Sequence, residues 1–310
     1  MHHWHWLIVI YLFLGGLGAG AYLTSFAAEK GWLGSNSHLK RVGYLIAAPI
    51  VAIGTILLVF DLGQGLHKPW LLIRLLVNFS SVMTWGVYIL SGFIIVGLVK
   101  GFLVLKNQSV PTVITWLGAF LAIATCAYTG LLVAVIRAVP IWNSYLMPLL
   151  FIISAISTGL SVTTILAHFI EKEGKANARE GQAHLHLIVA EVVIVAIFLG
   201  MMVSGLNGPV GTESAKLVMF GPYTFIFWGY FIILGLICPL GVFALENLKS
   251  KKLAKKVLTE PVLRETTATS ESSHSSYLML VTDYFVLVGG FALRALVIFA
   301  ALPIWDGTIK

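Results

Sequence analysis

Asp61, Arg294, Tyr11 and Tyr128 are the first candidates for chemistry, because each interrupts a long apolar run. A carboxylate can exchange a proton and a guanidinium can hold a negative charge. A phenol can donate a hydrogen bond to a carbonyl. A second set, His168, His184, His186, Glu191, Glu246 and Asp283, falls in or beside later apolar runs. Other redox chemistry is poorly supported. Bis-histidine haem needs facing histidine pairs deep in a bundle, and His168 is the one histidine well inside an apolar run. Cys126 and Cys238 lack a second cysteine at metal spacing, so neither an iron–sulfur cluster nor a disulfide framework is expected in this protein. Metal binding by His2, His3 and His5 is read as incidental.

The elements that position these residues follow from composition. The chain has 310 residues, 58% hydrophobic and 11% charged, with a mean hydropathy of +0.94. Soluble domains carry about 25% charged residues, so a water-soluble fold is excluded. A spanning helix needs roughly 20 apolar residues. The eight qualifying runs are Trp6–Phe26, Val42–Gly63, Met83–Leu105, Thr112–Ile136, Leu146–Ile170, Leu185–Gly205, Tyr223–Leu245 and Tyr277–Leu302. The expected fold is an all-α membrane protein, one domain over residues 1–310. Trp70–Val77 is too short to span and contains Arg74, so it reads as interfacial. The first residues lack the basic region and cleavage site of a signal peptide, and the first run reads as a retained helix.

Eight spans put both termini on one side, side A. Most Lys and Arg fall on side B: Lys30, Lys40, Arg41, Lys100, Lys106, Lys172, Lys175, Arg179, the lysines of 249–256 and Arg264. Side A receives Lys68, Arg74, Arg137, Lys216 and Lys310. The positive-inside rule makes side B cytoplasmic and both termini external. The net charge of +7 therefore reflects topology and anionic lipid rather than nucleic acid. The basic, then Ser/Thr-rich stretch Asn247–Ser276 reads as a flexible cytoplasmic linker. Pro49, Pro148 and Pro239 are expected to kink their helices. Gly15-Gly-Leu-Gly-Ala-Gly20 allows close helix approach. A nucleotide reading of those glycines is excluded, since no strand precedes them.

By depth, the candidates form two groups. Tyr11, Asp61, Tyr128 and Arg294 come from four helices in the half towards side A and could converge on one pocket. The bland alternatives are packed tyrosines and a structural ion pair. Trp4, Trp6, Trp70, Trp85 and Trp142 suit an interfacial belt. Towards side B, Glu191 and Asp283 lie about 10 Å inside their spans at 1.5 Å per residue. With His168 they could line a water-filled proton route, whereas His184 and Glu246 read as solvated helix ends.

The ordered motifs resemble the NrfD/PsrC family of quinone-reacting membrane subunits. The first span His5–Gly20 is similar to the family's first helix, and Asp61-Leu-Gly with His67-Lys-Pro-Trp70 to the end of its second. Met83-Thr-Trp-Gly86 resembles the start of the third. Tyr128-Thr-Gly-Leu-Leu, Pro140-Ile-Trp142 and Pro148-Leu-Leu-Phe151 resemble the fourth and fifth helices, and Gly289-Gly-Phe-Ala-Leu-Arg294 the last. The resemblance implies a subunit with no redox cofactor of its own that binds menaquinone or ubiquinone near the outer face of a prokaryotic cell membrane. Electrons would pass to or from a four-cluster-type iron–sulfur subunit on side A and, through it, a molybdopterin catalytic subunit. Tyr128 matches the family's quinone-contacting tyrosine. Where polysulfide-reductase relatives carry a histidine and an asparagine in the first helix, this protein has Tyr11 and Ile8. Tyr11, Tyr128, His5 and Trp85 are then the expected quinone contacts, with Asp61 as proton acceptor and Arg294 beside it. The rival readings are a transporter or proton channel without redox chemistry and a passive anchor. No internal repeat supports the transporter.

Overall fold

A computed structural model describes residues 4–34, 39–61, 79, 81–170, 178–259 and 270–302. Among these the fold is entirely helical. The helices are α1 (Trp4–Glu29), α2 (Leu39–Asp61), α3 (Val82–Leu105), α4 (Thr112–Ala134), α5 (Leu146–Ile170), α6 (Ala178–Val203) and α7 (Gly208–Phe220). A π-helical stretch, Phe225–Ile237, then runs directly into α8 (Cys238–Thr259), and α9 (Ser270–Phe299) completes the fold. Eight of the helical segments are long and apolar enough to cross a membrane, so this is a multi-span membrane protein. Their outward faces carry large apolar residues such as Ile95, Phe102, Phe120 and Phe169, as lipid contact requires.

Two groups of helices pack around α1. The first comprises α1–α4. The second comprises α5, α6, α9 and the π-helical stretch with α8, and α1 touches both α5 and α9. The glycines of α1 permit this central position. A Cβ at Gly20 would collide with the Ala155 carbonyl of α5, and one at Gly18 would reach Ala47 O of α2 at 2.7 Å. With almost no side chain at these points, backbone meets backbone.

Several elements differ from the sequence expectation. Helix α6 begins at Ala178 rather than Leu185, because Glu180 and His184 are covered by neighbouring helices. The expected linker 247–276 is partly helix: α8 reaches Thr259 and α9 starts at Ser270. The run after Asn247 is rich in Leu, Ala and Lys, which are good helix formers. Pro49 lies inside α2. Pro148 sits in the first turn of α5, where no ladder bond is lost. Pro239 follows the change from π to α winding, and it cannot donate to the preceding turn. Helix α7 has no counterpart among the expected runs. It lies on side A and turns Gly211, Ser214, Ala215 and Val218 inward at helical spacing. Asn207, just before it, donates to Pro140 O and Asn143 O, tying it to the α4–α5 connection. The interfacial segment Trp70–Val77 lies outside the described residues.

Candidate functional site

The first polar site is a pair of phenols in the α1–α4 group. Tyr11 is fully buried and its hydroxyl has no hydrogen-bond partner. Tyr128 of α4 lies within its electrostatic reach and packs on Gly86 of α3, where any Cβ would overlap the Tyr128 ring. Gly54 of α2 packs against Tyr11 O and Leu14. A separate groove of about 320 Å³, lined by Ala52, Thr55, Ile56, Val59, Phe60 and Ile94 from α2 and α3, opens on the side of α2 turned away from Gly54.

The second site lies in the other helix group and is built from charges. Arg294 of α9 is fully buried. Its Nη1 donates to Ser154 Oγ and to Gly290 O, each at 2.7 Å. Its Nε and Nη2 have no partner, and the rings of Phe13 and Phe151 flank it at 5.9 and 5.4 Å. Glu191 of α6 is near both Ser154 and Arg294. Deeper towards side B, His184 Nε2 lies 3.5 Å from Asp283 Oδ1, and the imidazole stacks on Phe243 of α8.

The helical periodicity of α1 separates these sites. Tyr11 and Gly15 share the face that looks to α4. Phe13 and Gly16, which meet Arg294, lie about 140–200° further round at 100° per residue. Arg294 therefore meets a different face of α1 from the phenol pair, while lying within electrostatic reach of Cys126 on α4, two residues before Tyr128. Trp85 is 55% exposed, with its indole N–H on Phe79 O at 3.1 Å. His168 is exposed at the end of α5. The side chains of His5 and Asp61 lie outside the described residues. His184 is not the solvated helix end that the sequence suggests. Its burial depends on how far α6 extends and on what packs over it, which hydropathy does not report.

A third network closes the side-B end of the first group. Lys100 Nζ bonds Glu29 Oε2 at 2.9 Å and Thr115 Oγ1 at 2.8 Å, while Tyr44 donates to the same Glu29 oxygen at 2.6 Å. Sequence makes Lys100 one more cytoplasmic lysine, yet it is 2% exposed. Among the described residues, no three His, Cys, Asp or Glu side chains gather in a way that could hold a metal ion.

Comparison with known proteins agrees with the helical layout. The family model described as polysulphide reductase, NrfD, matches residues 2–259. The C subunit of polysulfide reductase from Wolinella succinogenes is 29% identical over 326 aligned residues, covering 96% of this protein and 93% of that one. Protein NrfD of Escherichia coli is 30% identical over 273 residues, or 76% of this protein and 83% of the relative. An Hdr-like menaquinol oxidoreductase integral membrane subunit of Archaeoglobus fulgidus is 22% identical over 73% of this protein and 58% of its own length. With a family model matched over most of its length and eight membrane-crossing helices, the protein belongs to the NrfD polysulphide reductase family.

Proposed function

We propose that this protein is the quinone-exchanging membrane subunit of a respiratory oxidoreductase, with Tyr11 and Tyr128 holding the headgroup of a menaquinone or ubiquinone. The observation that carries this reading is the Tyr11 hydroxyl. It is buried beside Tyr128 without a bond. An unsatisfied buried donor costs about 1–3 kcal/mol, and a ligand carbonyl would remove that cost. When bound, the quinone supplies two-electron, two-proton redox chemistry.

The protein's own residues then orient the ring and handle protons. Tyr11 and Tyr128 donate to the ring carbonyls. Asp61 ends α2, seven residues beyond Gly54 and about 10 Å nearer side A. We assign it the exchange of protons with the outer side. We take His5, less than two turns from Tyr11 along α1, as a further donor. Electrons would pass to an iron–sulfur subunit on side A and from it to a molybdopterin subunit. The names of the relatives support a multi-subunit setting: one is a subunit of polysulfide reductase and another an integral membrane subunit of a menaquinol oxidoreductase. With side A extracytoplasmic, as the distribution of Lys and Arg implies, both termini lie outside the cell membrane.

Tyr11→Phe and Tyr128→Phe test the assignment in the assembled complex. Each loses one hydrogen bond to a reacting carbonyl, and quinol-dependent turnover should fall about tenfold for roughly 1.4 kcal/mol. Partner-subunit content should stay the same. Unchanged turnover in both variants, as a passive anchor would show, overturns the reading.

A further inference from the structure

Seven residues separate Ser154 from Ser161 on α5, and seven separate His184 from Glu191 on α6. On α9 the same interval runs from Asp283 to Gly290, whose carbonyl accepts a bond from Arg294. Seven residues are about two turns, so each set occupies one helix face and spans about 10.5 Å. The three faces meet twice. Towards side B, the His184 imidazole and Ser161 lie beside the Asp283 carboxyl. Towards side A, Arg294 is bonded to Ser154, with Glu191 next to both. None of these six side chains is more than 4% exposed.

The three faces between and at the two meeting points carry buried polar atoms that make no close hydrogen bond within the protein. These are both Asp283 oxygens, His184 Nδ1, the hydroxyls of Ser161 and Ser157, and Arg294 Nε and Nη2. Among the described residues of α1–α4, the corresponding set is the Tyr11 hydroxyl alone. Buried groups of this kind are normally satisfied by internal water, each molecule making about three bonds. A span of about 10.5 Å is roughly four hydrogen-bond lengths of about 2.8 Å. A short file of water therefore fits the distance as well as the chemistry.

We propose that the second helix group encloses a hydrated proton-binding site. His184 and Asp283 form its side-B mouth, Ser161 and Ser157 line it, and Arg294 is the stop at its side-A end. An imidazole facing a carboxylate can share a proton with it, whereas a metal ion there would meet too few ligands. Asp283 also faces Glu180 from α6, and two neighbouring carboxyls favour holding a proton between them. Phe243 covers the outer face of the imidazole. At the other end, the guanidinium keeps its charge and repels an arriving hydronium. The rings of Phe13 and Phe151 and the backbone at Gly16 close the space beyond it.

A proton loaded from side B moves along hydroxyls and water as far as Glu191 and leaves by the same route. No other bond breaks, and no oxidant or reductant is needed.

Infrared difference spectra of the full-length protein in liposomes, taken across pH steps in H2O and D2O, test the proposal. The expected result is a protonated-carboxyl band that titrates, shifts on deuteration and is absent from Asp283→Asn. Its midpoint should move by about one pH unit in His184→Gln and should ignore replacement of sodium by choline. A band retained in Asp283→Asn overturns the proposal, as does one that follows sodium concentration instead of pH. Ser161→Ala keeps both titrating groups and serves as the second variant. It should shift the midpoint and weaken the bound-water bands, and an unchanged spectrum overturns the role of the hydroxyls. Quinol plays no part in this readout, so its failure and a failure of the phenol-pair reading are distinguishable.

Discussion

Tyr128 occupies its place because Gly86 has no side chain. An added methyl there would overlap the phenol ring, and backbone on one side and a rigid ring on the other leave little room to adjust. Gly86→Ala should therefore displace Tyr128 rather than unfold α3, whose other buried contacts remain. We expect quinol-dependent turnover to fall about tenfold or more, as for Tyr128→Phe, with yield of the assembled complex within about twofold of wild type. Turnover at the wild-type rate would show that Tyr128 need not stand where it does. The phenols are legible in the sequence because a polar group in an apolar run is conspicuous. Their separation from Arg294 is legible only in principle, through the 100° step between Tyr11 and its neighbours Phe13 and Gly16. Depth along a helix can be counted from a sequence, but the direction a residue faces acquires meaning only when the neighbours are known. His184 shows the same limit, since its partner Asp283 is 99 positions away.

At the level of elements, the side-B ends of α1, α2, α3 and α4 are joined through Lys100. The ammonium is bonded to Glu29 and Thr115 and lies 4.4 Å from the Tyr44 ring centre. The two ends of the ion pair are unequal: the Lys100 side chain is 3% exposed and that of Glu29 is 37%. Glu29→Gln leaves a cation deep in the bundle with its charge uncompensated, which should cost about 3 kcal/mol. Lys100→Met removes the buried charge itself, while Glu29 keeps Tyr44 and water, so the cost should be nearer 1 kcal/mol. Unfolding of both variants in detergent, followed by circular dichroism, checks the order. Equal losses, or a greater loss in Lys100→Met, would contradict it. The helix count, order and approximate ends are legible because hydrocarbon thickness sets a length that any long apolar run must meet. Lys100 escapes because the positive-inside rule sorts lysines by side and says nothing about burial. The early start of α6 and the extension of α8 escape because hydropathy falls before the helix ends.

Across the whole molecule, α1 is a wall with a different chemistry on each face. The phenol pair lies towards one face, and a buried guanidinium with its hydroxyl and carboxyl neighbours towards the other. Close glycine contacts make this wall thin and leave it little freedom to move. At Gly16, for example, an added Cβ would stand 3.2 Å from both Ala155 Cβ and Arg294 Nη2. Two sites separated in this way should be independent in binding even if they are linked during turnover. Asp283→Asn should therefore leave the dissociation constant for quinone within about twofold of wild type. Tyr11→Phe should weaken quinone binding about tenfold while leaving the carboxyl infrared band in place. Titration of the purified protein with a quinone analogue, alongside its infrared spectrum, measures both. If Asp283→Asn weakened quinone binding as strongly as Tyr11→Phe, the sites would share one energetic unit. Any coupling between them would then pass through the contact of Gly16 with Arg294 or through the electrostatic approach of Arg294 to Cys126 of α4, two residues before Tyr128.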